Sequence, residues 1–91
     1  MGTATVVDVP GGVAEDLIAF LGQRYAELES LSEVQRTISF RRGKSPDVIY
    51  EAEVTYFHHP HSSHALFEFA EHVDKHGGLM RRWYCRNDWN D

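Results

Sequence analysis

Six histidines supply most of the chemistry this chain could carry. His58, His59, His61 and His64 fall within seven residues, and His64, Glu68, His72 and His76 follow at four-residue intervals. Imidazole and carboxylate together suit zinc, nickel or copper, and residues four apart share one side of a helix. Each such step drifts about 40° around an ideal helix, so neighbouring pairs could share an ion but the whole row could not. On this spacing the metal candidates are His59, His61, His64, Glu68 and His72. The competing readings are a solvated, histidine-rich connection ahead of a helix, or a proton switch driven by mutual repulsion on acidification.

The run His59-Pro60-His61-Ser62-Ser63-His64 resembles the HxHxDH ligand run of metallo-β-lactamase-fold hydrolases over six residues, with Ser63 where that family has aspartate. The chain is too short for that family's αββα fold and lacks the later ligands, so no hydrolase role carries over. Pro10-Gly11-Gly12 ahead of a helix invites a phosphate-loop reading, but no GKS or GKT follows, and Glu15 and Asp16 already complement the helix start. Cys85 alternates with Trp83 and is expected to face the core as an inert thiol. Asp88 with Glu51 or Glu53 could form an acid/base pair, yet nothing in the sequence brings any two of them into one pocket. No motif calls for a cofactor.

A third kind of chemistry is contact. Leu79, Met80, Trp83 and Tyr84 put apolar bulk on both faces of the last predicted strand, which then needs cover. Arginine and aromatic residues are favoured at interface centres, which makes Arg82, Trp83, Tyr84 and Arg86 the expected partner-binding residues. Val13, Phe20 and Leu31 flank the core stripe of the first helix and Phe67 that of the second, as inter-helix packing or as a docking ridge. Glu15, Asp16, Glu27, Glu68, Glu71 and Asp74 could imitate nucleic-acid phosphates.

The elements that must position these residues follow from changes of hydrophobic period. Thr3 to Val9 is β-branched and ends at Pro10-Gly11-Gly12, as a strand would. Ala14, Leu17, Ile18, Leu21, Tyr25 and Leu28 then mark one face of a helix, with a stop over residues 30–32. Val34, Ile38 and Phe40 alternate with polar residues, Gly43-Lys44-Ser45-Pro46 turns the chain, and Val48 to Phe57 returns as a hairpin partner. A tight turn would pair Phe40 near Tyr50 and Ile38 near Ala52. After a His58–His61 link, Ser62 or Ser63 caps a second helix with a Leu66, Phe69, Ala70 and Val73 stripe, ended by Gly77-Gly78. Leu79 to Arg86 is the last strand, and a polar tail frays from about residue 87.

The order βαββαβ predicts an α+β class and a ferredoxin-like sandwich: a four-stranded antiparallel sheet, strand order 4-1-3-2, with two helices on one face. That order resembles RNA-recognition motifs, whose central strands stack aromatics on bases. Here Glu51 and Glu53 would occupy the open face and repel RNA, so nucleic acid is not an expected partner.

With 91 residues the chain forms a single domain over residues 1–91. A net charge of −5 opposes general attraction to phosphate or anionic lipid, although Arg36, Arg41, Arg42 and Lys44 cluster. No apolar run approaches the roughly 18 residues of a membrane span, and a lone cysteine points to a reducing, cytoplasmic setting. The expected function is a non-catalytic protein-binding module, an adaptor, regulator or inhibitor, acting through a sheet edge on another protein or on a second copy as a homodimer. The alternatives are an acidic, nucleic-acid-mimicking inhibitor of the kind phages or mobile elements encode, and a histidine-cluster metal-binding protein or small metal-dependent enzyme.

Overall fold

From Gln35 onward a two-residue period governs the chain, and it governs further than the helical pattern over residues 64–76 suggests. A computed structural model describes residues 7–30 and 34–90, with residues 88 and 90 described by their backbone alone. The elements are α1 (Gly11–Arg24), α2 (Ala26–Glu29), β1 (Gln35–Arg42), β2 (Val48–His58), β3 (His61–Val73) and β4 (Leu79–Asn90). The strands pair antiparallel in chain order, β1-β2-β3-β4, giving an α+β meander.

The ferredoxin-like βαββαβ order is therefore corrected. It needed a second helix where β3 lies and a crossover order that the sheet does not have. Leu66, Phe69, Ala70 and Val73 do fit a helical stripe. Ser63, Ala65, Phe67 and Phe69 fit a strand equally well, and these four are the residues the protein buries. Pairing to β2 on one side and β4 on the other satisfies the backbone along β3, so tertiary context decides an ambiguous segment. Of the predicted first strand, residues 3–6 lie outside the described residues, and Val7–Pro10 is not strand. Val7 N–H still donates to the Phe40 carbonyl at 3.0 Å.

Hairpin turns replace the expected helix boundaries. His59-Pro60, joined by a cis peptide bond, connects β2 to β3 directly. Gly77-Gly78 does not end a helix but closes the β3–β4 turn, where Gly77 adopts φ +81. The Asp74 carboxylate accepts the His76 and Gly78 N–H groups, each at 2.8 Å. In the β1–β2 turn Gly43 is required for a different reason: a Cβ there would stand 1.7 Å from the Val48 carbonyl oxygen. That turn is longer than a tight hairpin, so Phe40 pairs with Ala52 and Ile38 with Val54. A two-residue displacement leaves every side chain on its expected face.

Pro10 lies at the α1 N-cap and its carbonyl accepts from Val13 and Ala14, so Gly11 and Gly12 open the helix. Leu17 and Leu21 are buried against Ala52, Val54, Ala65, Phe67, Phe69 and Trp83 on one sheet face. The buried stripe is rotated from the expected one: Phe20 meets Phe67 edge to face, and Ile18 is 40% exposed. Tyr25, at φ −125, separates α1 from α2. Residues 87–90 of the predicted fraying tail are instead the end of β4, where Trp89 packs against the core, and residue 91 lies outside the described residues.

Candidate functional site

Alternation divides the expected partner-binding residues between two surfaces. Trp83 is 2% exposed beneath α1 and donates its indole N–H to the Val13 carbonyl at 2.8 Å. Arg82 and Tyr84 lie on the opposite, outer face, with the Arg82 Nε donating to the Tyr84 hydroxyl at 3.0 Å. Arg86 reaches Glu51 at 3.5 Å and Glu68 at 3.7 Å. Glu51 is buried on this outer face and also accepts from Arg41 Nε at 2.8 Å. The pairing of Glu51 with Glu68 across β2 and β3 is thereby neutralised by arginines on both flanks.

The metal candidates are not assembled. His59 and His61 border the β2–β3 turn, while His64, Glu68 and His72 spread along the outer side of β3. In a strand, His64 and His72 are about 26 Å apart. Among the described residues no group of three or more His, Cys, Asp or Glu side chains could hold a metal ion. Cys85 is partly buried, accepts the Tyr25 hydroxyl at 3.5 Å and donates to the Asn87 carbonyl at 3.1 Å.

What the strands and helices do assemble is a cavity at the His59-Pro60 end of the sheet. It measures about 560 Å³ and is lined by Gln23, Arg24, Tyr25, Ala26, Glu27, Leu28, Ser63 and Trp89. The break at Tyr25 turns the helical segment so that both sides of the break line the opening. Tyr25 and Trp89 are its aromatic lining, beside the charged Arg24 and Glu27, and the Trp89 ring lies 4.7 Å from Tyr25, 5.2 Å from Tyr56 and 5.8 Å from Phe67, each near edge-on. The Trp89 indole N–H is buried and has no hydrogen-bond partner among the described residues.

Two polar pairs occupy the same end. Ser63 Oγ lies 3.2 Å from His58 Nε2, and Ser63 is only 7% exposed. The Tyr56 hydroxyl donates to Glu29 at 2.8 Å, and Glu29 also pairs with Arg36. Burial, reinforced by the hydrogen bond to the Glu29 carboxylate, pushes the Tyr56 phenol up from 10.0 to about 12, so it is a firm donor. Arg24 holds its guanidinium 5.8 Å from the Tyr25 ring and 6.0 Å from Phe20, placing a cation at the cavity.

Comparison with protein-family models, with curated proteins and with solved structures finds no match to this chain. The site must be read from its own residues. Sequence reasoning missed His58, Ser63, Tyr25, Tyr56 and Trp89 as neighbours because it assigned them to a link, a cap, a helix stripe, a strand and a tail. A signal was present: Trp89 is a large apolar residue in a segment read as a polar tail.

Proposed function

We propose that this protein is a small-ligand binding module whose site is the cavity between the C-terminal end of α1, α2 and the ends of β3 and β4. The observation that carries this reading is a partly open cavity of about 560 Å³ that combines Tyr25, Leu28 and Trp89 with the polar Gln23, Arg24, Glu27 and Ser63. Ligand sites are usually concave, mostly apolar and about 300–1,000 Å³, with a few placed polar groups. Tyr25, Leu28 and Trp89 suit a flat apolar body, and Arg24 suits an anionic substituent. Aromatic acids are the ligand class that this combination favours.

Calorimetry with 2-naphthoate tests the reading. Saturable binding is expected, abolished by Ala26→Phe, which fills the cavity from an exposed position, and weakened by Arg24→Gln. No saturable heat from a panel of flat aromatic acids, or binding unchanged by Ala26→Phe, would contradict it.

A second reading places a protein partner on the edge of β4. It is supported by β4 ending the sheet order, by Leu79 being 60% exposed, and by Arg82 and Arg86 being exposed beside it. Another protein or a second copy could add a strand there, with Arg82, Tyr84 and Arg86 as contacts. Trp83 belongs to the core in this reading. Arg82→Glu lowering association in sedimentation would support it, and a monomer unaffected by the change would not.

A further inference from the structure

We propose that the cavity is also a site of acyl transfer, with Ser63 Oγ as nucleophile and His58 Nε2 as its base; this rests on the cavity being a ligand site. Serine is a weak nucleophile until a neighbour accepts its proton, and the required separation is about 2.6–3.2 Å. Here it is 3.2 Å, and the serine belongs to the cavity wall. The hairpin creates the pair. Tyr56 is opposite Ser63 and His58 is opposite His61, so His58 and Ser63 are diagonal neighbours on the face that α1 covers. A two-residue turn at His59-Pro60 fixes that register.

Of the remaining lining residues, five have a place in an ester site, while Ala26 and the Glu27 carboxylate have none. Tyr25, Leu28 and Trp89 accommodate an apolar acyl or aryl portion, while Gln23 and Arg24 carry N–H donors suited to the developing oxyanion. In the first half-reaction the Ser63 Oγ bonds to the ester carbonyl carbon as its proton passes to His58 Nε2. The carbon–oxygen bond to the alcohol then breaks, and the alcohol leaves with that proton. In the second half His58 takes a proton from water as the water oxygen adds to the acyl carbon. Ser63 Oγ departs, recovers the proton from His58, and the carboxylic acid is released. One ester and one water give one acid and one alcohol.

The test is covalent labelling of the full chain with an aryl fluorophosphonate, in which an Oγ–phosphorus bond forms and fluoride leaves. Peptide mass mapping is expected to find one adduct per chain, on Ser63. Ser63→Ala should abolish it, His58→Gln should slow it about 10²–10³-fold, and Ser62→Ala, on the other face, should leave it intact. An unlabelled native protein, a label that persists in Ser63→Ala, or an unchanged rate in His58→Gln would overturn the proposal. Binding of 2-naphthoate by the same variants separates the two ideas. Retained binding without labelling rejects acyl transfer alone, whereas absent binding rejects the cavity as a ligand site.

Discussion

Trp83 and Trp89 lie on one strand and pack on the same helix-covered core, yet they do opposite things. Trp83 is sealed beneath the start of α1 and its indole N–H is used by Val13. Trp89 lines an opening beneath the end of the same helix, and its N–H has no partner among the described residues. One end of the sandwich is spent on stability. The other has a cavity of about 560 Å³, against about 350 Å³ beside Trp83, together with two polar pairs. At the Trp83 end the β1–β2 turn is also bound to β3, by the Glu71 N–H donating to the Asp47 carbonyl at 2.9 Å.

If that division is correct, variants at the closed end should damage folding more than variants at the open end. The largest effect is expected from Trp83→Ala, about 3–5 kcal/mol in urea unfolding, against about 1–2 kcal/mol for Trp89→Ala. Equal losses would remove the distinction. Gly43→Ala, at the closed end, should cost about 3 kcal/mol because its Cβ can be housed only by moving the Val48 carbonyl.

A finer comparison removes only the indole donors. Trp83→Phe removes one of two bonds to the Val13 carbonyl, which keeps its helical partner at Leu17, and should cost about 0.5–1.5 kcal/mol, whereas Trp89→Phe discards a donor with no partner among the described residues and should stay within about 0.5 kcal/mol of the native protein. Urea midpoints of the two variants check this directly.

The smallest effect is a pH dependence at the open end. The Tyr56 phenol is held at about 12 in the folded protein against 10.0 when free. Between those values the unfolded chain has lost the proton that the folded chain keeps. The phenol's contribution is thus full below pH 10 and lost as pH rises towards 12. Tyr56→Phe should flatten that part of the stability profile, and an identical slope in both proteins would contradict the assignment.

The sequence made the β1–β2 hairpin and the presence of a first helix legible because each showed one period, although the helix breaks at Tyr25, ahead of the stop expected over residues 30–32. It also identified the last strand as an edge. Residues 61–73 were not legible: Phe69 belongs to both the helical and the two-residue pattern, and only pairing on both sides selects the strand. The site was hidden by that ambiguity. Once Ser63 is placed in a helix cap and Trp89 in a tail, nothing local reveals that β-pairing brings Ser63 beside His58 or that β4 carries Trp89 to Tyr25.

The two indoles offer a direct measurement, since each gives one N–H signal in a ¹⁵N–¹H correlation spectrum. During titration with 2-naphthoate the Trp89 signal should move saturably while that of Trp83 stays in place. Both signals moving together, or neither moving, would contradict the division between a structural end and a binding end.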